Sequence, residues 1–204
     1  MGFYERRVLP RLIDFAMSSR RLTRLREQVV GEARGRVLEV GIGSGLNLPF
    51  YRRDLEWLVA VDPSPALLAM ARPHTAWVHF PVSLREASAE ALPLEDGTVD
   101  SVVMTWTLCS VVAPEQALGE IRRVLRPGGA LLFIEHGRAP QGGIASWQDR
   151  LTPLWRKVAG GCHLNRPVDR LIARAGLRLA ALEVGYLVAG PRPFTFHYRG
   201  RALR

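Results

Sequence analysis

The chain contains a single lysine, Lys157, and it lies far from any glycine-rich turn. No G-x-x-x-x-G-K-[ST] run exists, which excludes a P-loop and its phosphate-cradling chemistry. Cysteine is almost as scarce. Cys109 and Cys162 stand alone without C-x-x-C spacing, so the sequence suggests neither a zinc site nor a disulfide framework. No metal and a reduced, cytoplasmic setting are the expectation. No apolar run approaches the ~20 residues of a membrane span. The opening Met1-Gly2-Phe3-Tyr4-Glu5-Arg6-Arg7 lacks the apolar core of a secretory signal, and Arg6 stands where a myristoylation start needs Ser or Thr.

What is present is an ordinary globular composition. At 204 residues, 48% hydrophobic and 23% charged, the chain is expected to form one domain with a substantial core. Its net charge of +9 is unevenly placed. Residues 1–36 hold nine arginines against four acids, and residues 185–204 hold four arginines and no acid, while the centre is balanced. Basic ends of this kind suit anionic lipid surfaces or nucleic acid. They equally suit a merely solvated, arginine-rich helix face. With the charge confined to the ends and no RNA-binding module in view, nucleic acid is not expected, whereas peripheral contact with an anionic membrane is.

The most informative stretch is Val37-Leu38-Glu39-Val40-Gly41-Ile42-Gly43-Ser44-Gly45, a short apolar run that meets alternate glycines. It describes a strand turning tightly into a helix, with bare backbone exposed to a ligand. Asp62 follows Gly45 by seventeen residues, at the end of a second apolar run, where a carboxylate can accept both hydroxyls of a ribose. The dinucleotide fingerprint G-x-G-x-x-G fails, because its third glycine falls on Leu46. The turn therefore points to a nucleoside-containing cofactor other than NAD.

Along the chain, residues 3–30 read as one or two basic amphipathic helices, with Pro10 kinking or restarting the first. Strands are expected at 37–40, 58–61, 78–82, 99–104 and 131–135, and helices at 65–71 and 115–125, the latter ending before Pro127-Gly128-Gly129. Such alternation implies a doubly wound parallel α/β sheet. Apolar residues at helical spacing then run from Ile144 to Val158, interrupted by Pro153. A loop at Gly160-Gly161-Cys162-His163, a helix over 167–175 and two closing strands over 177–184 and 194–201 follow.

The pattern Glu39-x-Gly41-x-Gly43-x-Gly45 resembles the first motif of the class I S-adenosylmethionine (SAM) methyltransferases. Ala87-Ser88-Ala89-Glu90-Ala91-Leu92-Pro93 is similar to the family segment that holds the adenine, with Ser88 in place of the usual Asp. Asp96–Asp100 and Arg123–Gly129 fit the approaches to the fourth and fifth strands. The resemblance covers residues 37 to 135, about half the chain. It implies a Rossmann-like, doubly wound sheet of seven strands, mostly parallel with an antiparallel terminal strand. Leu108-Cys109-Ser110-Val111, Glu135-His136, Trp147-Gln148 and Gly161-Cys162-x-Leu164-x-Arg166 look like the alkyl-thiol methyltransferases. Those carry an N-terminal hydrophobic anchor that this sequence does not show. Gly43–Pro49 also resembles the bacterial phosphatidylethanolamine N-methyltransferases.

The resemblance implies SAM as cofactor and divides the chain into basic helices over 1–35, which cover the cofactor site, and a methyltransferase domain over 36–204. Residues 140–166 form an acceptor-site insertion in that domain. Expected cofactor residues are Glu39, Gly41, Ile42, Gly43, Gly45, Asn47 and Leu48 around the turn, with Asp62, Pro63 and Ser64 after the second strand. Ser88, Ala89 and Glu90 follow for the adenine, then Thr105, Leu108 and Cys109 after the fourth strand. Tyr4 is expected to fold over the methionine end.

Methyl transfer from a sulfonium is an in-line displacement in which positioning supplies most of the gain, so no covalent nucleophile is required. His136 is the first choice as base or substrate orienter, because imidazole titrates near neutrality, and a strand-end structural histidine is its plain alternative. His163 is a weaker choice. Cys109 reads as a packing residue. Trp147 and Trp155 are candidates to roof the acceptor pocket. The expected acceptor is a small apolar molecule, foremost a thiol. A phospholipid or small amine, a quinone-type carbon acceptor and a SAM-binding sensor without catalysis are the alternatives.

Overall fold

The computed structural model describes residues 4–204 of the chain. Seven strands form one sheet in the order β3-β2-β1-β4-β5-β7-β6. They are β1 (Arg36–Val40), β2 (Trp57–Asp62), β3 (Val82–Glu86), β4 (Val99–Thr105), β5 (Leu125–His136), β6 (Arg178–Tyr186) and β7 (Phe196–Leu203). Strands β1 to β5 run parallel, while β7 pairs antiparallel with both β5 and β6. The seven-stranded, mostly parallel α/β sheet expected from the motifs is the fold.

The central strands are apolar on both faces because helices cover both. On one face Leu38, Val40, Val102, Met104 and Phe133 pack with Leu118 and Ile121 of α4 (Pro114–Val124) and Ile172 of α6 (Val168–Arg174). On the other, Val37, Leu58, Ala60, Val103 and Ile134 pack with Val29 and Val30 of α2 (Arg20–Val30) and with Leu68 and Ala71 of α3 (Pro65–Ala71). Strand order reverses between β1 and β4, so the ligand crevice of an open α/β sheet falls beyond their carboxyl ends.

Three local expectations shift, and a fourth is resolved between its two alternatives. The third strand is Val82–Glu86 and not 78–82: Pro81 has no N–H for the ladder, and a 3-10 turn over Arg72–Trp77 occupies the preceding chain. Pro10 restarts the helix and does not kink it: a π-helix over Tyr4–Val8 gives way to α1 (Leu9–Met17), whose first turn holds the proline, and the break before α2 falls at Ser18 and Ser19. Pro153 does not interrupt α5, which runs unbroken over Gly142–Val158. That helix is pinned just before the proline. Gln148 accepts from the Ala139 N–H at 2.9 Å and donates to the Gly137 carbonyl at 2.9 Å, and the Thr152 hydroxyl donates to the Gln148 carbonyl. The last strand starts at Phe196, after a short helix α7 (Arg192–Thr195). The reading of Met1–Phe3 lies outside the described residues.

Candidate functional site

Three loops meet at the β1/β4 switch point. The first is the glycine turn. Gly41 has φ of 76° and Gly43 of 57°, conformations that side chains rarely adopt. A Cβ at Gly41 would stand 2.2 Å from the Thr107 hydroxyl, so the turn is pressed against the loop after β4. A Cβ at Gly43 would meet nothing within 4 Å, which leaves open space beside exposed backbone. The Gly43 N–H donates to Asp62 at 2.9 Å, and Ser64 donates its own N–H to the other Asp62 oxygen. Asp62 thus binds turn and β2 end together. Burial pushes its carboxyl above the usual range, against the pull of those two amides.

Below the turn lies Glu39, fully buried. Asn47 and Tyr51 donate to its two oxygens at 2.8 and 2.9 Å. Burial nevertheless raises its pKa to about 7. Leu48 and Ile42 fill the core around it, and Thr105 accepts a second Asn47 hydrogen bond at 3.0 Å. Two groups here are buried without partners: the Asn47 Oδ1 atom and the Nε and Nη1 atoms of Arg26. The Arg26 guanidinium lies 4.8 Å from the Trp106 ring centroid, its pKa lowered by burial to about 10. Trp106 itself is held at φ of 51°. Sequence reasoning missed Arg26, because a helix rich in exposed arginines gave no reason to single out one.

The second loop follows β4. Glu135, at the end of β5, is fully buried and accepts from the main-chain N–H groups of Thr107, Leu108 and Cys109 at 2.7, 2.9 and 3.4 Å. Burial raises it to about 7. Arg166 closes the loop from outside by donating to the Leu108 and Val111 carbonyls. Glu90 accepts from the Val112 and Ala113 N–H groups and from the Ser88 hydroxyl, so it anchors the loop, while Ala89 is buried beside it.

The third loop is Gly160–His163. The His163 N–H donates to the Cys109 carbonyl at 2.8 Å, and the His163 ring lies 3.0 Å from that same oxygen. This brings Cys162 against the β4 and β5 ends. His136 Nε2 is 3.2 Å from the Cys162 sulfur, and the ligand atoms of Cys109, His136 and Cys162 all lie within 4.8 Å of one another. Spacing in sequence suggested two unrelated thiols, yet the fold places both on one imidazole. The Cys109 thiol is pushed well up, first by Cys162 and then by burial, whereas Cys162 is held below the ordinary thiol range, first by Cys109. Burial opposes the His136 imidazolium, but Cys109 and Glu135 outweigh it and raise its pKa.

Not every expected residue converges. The Tyr4 hydroxyl donates to the Val158 carbonyl at the end of α5. Trp147 is exposed on α5, and Trp155 packs against Phe194 with tilted rings whose centroids are 4.8 Å apart. A cleft of about 600 Å³, lined by Arg21, Tyr186, Leu187 and Arg192 among others, opens beside the β6–β7 connection.

A glycine turn, a carboxylate at the end of the next strand and a switch-point crevice define the class of Rossmann-like nucleoside-cofactor proteins. Residues 38–133 match the methyltransferase domain family. The chain is 36% identical over 181 residues to the thiol S-methyltransferase TMT1B of Rattus norvegicus, covering 82% of this chain and 70% of that one. It is 33% identical to the phosphatidylethanolamine N-methyltransferase of Cereibacter sphaeroides, with 68% of each chain covered. A SAM-dependent methyltransferase structure from Thermotoga maritima shares the fold, with a TM-score of 0.67 at 23% identity, 98% of this chain and 97% of that one being covered. The chain belongs to the class I SAM-dependent methyltransferases, and SAM is its cofactor.

Proposed function

We propose that this enzyme methylates the sulfur of small apolar thiols. The observation that carries the reading is the engagement of Glu135. The carboxylate at the end of β5 is fully buried, with its oxygens turned to three main-chain N–H groups, so it faces the loop after β4 and not an open crevice. An amine with pKa near ~10 needs a base, whereas a thiol near ~8.5 is already a few per cent ionised at neutral pH. The similarity to TMT1B supports the same acceptor.

SAM supplies an electrophilic methyl on a sulfonium. The residues present fit it on two counts: an unpartnered buried guanidinium at Arg26 suits a carboxylate, and the spare Asn47 Oδ1 beside Glu39 suits an ammonium. Arg26, Glu39 and Asn47 would therefore hold the amino-acid end, with Gly41, Gly43 and Asp62 at the ribose and the Ser88–Glu90 segment near the adenine. His136 takes an orienting role, since its Nε2 faces the Cys162 sulfur. His163 acts through its grip on the Cys109 carbonyl. The test is S-adenosylhomocysteine release with alkyl thiols, primary amines and phenols in parallel. Turnover of amines without turnover of thiols refutes the reading.

A membrane surface is the proposed site of action. On α1, Leu12 is 50% and Phe15 is 83% exposed. Leu154 and Val158 are exposed on α5, which α1 approaches where Leu9 and Ile13 face Gly160. Arginines 11, 20, 21 and 24 flank this apolar face, a combination suited to an anionic bilayer interface. The same helix reaches the cofactor turn, where Ser44 donates to Asp14 at 2.6 Å, in keeping with a covering role for residues 1–35. Residues 140–166 supply the wall of the acceptor site through α5 and the Cys162 loop. Failure to co-sediment with anionic vesicles at low salt refutes the membrane reading.

A further inference from the structure

Cys109, His136 and Cys162 come from three separate segments and share one small space. We infer that they form a zinc site whose fourth position takes the thiolate of the acceptor, an inference that rests on the thiol reading above. Two sulfurs and one imidazole nitrogen are the donor set that zinc favours, and three protein ligands with one open position are the arrangement of catalytic zinc. Zinc stands about 2.3 Å from sulfur and about 2.0 Å from nitrogen. Ligand atoms already within 4.8 Å of one another, and 3.2 Å apart for Cys162 and His136, need only small side-chain movements to meet it.

The surroundings are built to hold these ligands. Cys109 is fixed by its own N–H on Glu135 and by the His163 N–H on its carbonyl. Cys162 sits on a loop with φ of 61° at Gly160 and 85° at Gly161, which turns its side chain inward. The indole N–H of Trp155 is buried with no acceptor, and its nearest chemical use is the Cys162 sulfur beside it. Thiolates on a metal take such outer N–H donors. Cys109 and His136 are buried and Cys162 is half-buried, so the approach to the open position runs along the Cys162 side.

The site answers a gap in the thiol reading, which so far leaves acceptor ionisation to solvent. On binding, the acceptor S–H bond breaks, its proton leaves to water, and a zinc–sulfur bond forms. A lone pair of that sulfur then forms the new S–CH3 bond as the cofactor's sulfonium–CH3 bond breaks. The products are a neutral thioether, which is a weak zinc ligand and departs, and S-adenosylhomocysteine.

The full-length protein, purified reduced, is assayed for zinc content and then loaded with Co²⁺ alone. One metal per chain and a sulfur-to-cobalt charge-transfer band are expected. Addition of a small alkyl thiol shifts the visible cobalt bands. Outer-shell partners alone are worth about 10–100-fold in metal affinity. Cys162→Ser weakens zinc binding by more than that range, and Trp155→Phe by about tenfold, with thermal melting confirming that both fold. Absence of stoichiometric metal in reduced, folded protein overturns the site. If that same preparation methylates thiols, the functional reading survives alone. Cobalt bands indifferent to thiols overturn the open position. Stoichiometric metal without turnover of any thiol overturns the thiol reading and the proposed use of the site together.

Discussion

Two glutamates lie near the carboxyl ends of β1 and β5, on either side of β4, and both are fully buried and raised to about 7, yet their surroundings differ. Glu135 spends its oxygens on three main-chain amides and has become part of the loop after β4. Glu39 meets two side chains, and beside it an amide oxygen and a guanidinium remain unpaired. Equal burial and equal displacement of pKa therefore say little about role. What separates a structural carboxylate from a binding one is whether its neighbourhood is satisfied.

The contrast can be broken most severely at Glu135. Glu135→Ala strands three main-chain amides, two of them buried, each buried one costing about 1–3 kcal/mol. A loss on the order of 3 kcal/mol or more is expected by chemical denaturation, with loss of activity following from the collapsed loop. Glu39→Gln is expected to act the other way round. It keeps the fold, with a melting temperature close to the parent, but weakens SAM by about 10–100-fold in calorimetry, the worth of a charge-assisted hydrogen bond. Equal stability losses in the two variants would falsify the distinction.

Arg26→Met is next in size. It removes an unpaired buried cation, so thermal stability should hold or rise while SAM affinity falls about tenfold. The smallest effect is in pH. Both glutamates have folded pKa values above the ordinary 4.5, so the stability they allow is complete below that value and is lost as pH rises through about 7. Melting curves of the ligand-free protein should decline between pH 5 and 8. Saturating SAM should flatten the Glu39 share, and Glu39→Gln should show a shallower slope throughout.

Sequence spacing made the glycine turn and the end of β2 legible because their conformation is local. Gly41, Gly43 and Gly45 mark a turn by their own conformational needs, and Asp62 ends a strand whose length is set by one apolar run. The third strand slipped by four residues because Pro81 and the 3-10 turn before it are decided by pairing with β2 rather than by local hydrophobicity. The cluster of Cys109, His136 and Cys162 was opaque for a different reason. Cys109 and Cys162 are 53 positions apart, and hydrogen bonds from His163 and Arg166 to the carbonyls of the loop after β4 bring them together. No periodicity encodes such a contact. Two cysteines that each end up beside the same strand-end histidine were visible only as two scarce residues.

The Ser44–Asp14 hydrogen bond has a kinetic side. It ties the glycine turn to the helix that carries the exposed Phe15, so the element proposed to cover the cofactor is also the one proposed to meet the membrane. Adsorption would then act on cofactor exchange as well as on location, making the bilayer an input to the turnover cycle. Stopped-flow release of S-adenosylhomocysteine, run with and without anionic vesicles, reads that coupling directly. A release rate indifferent to vesicles would show the cover and the surface to be independent.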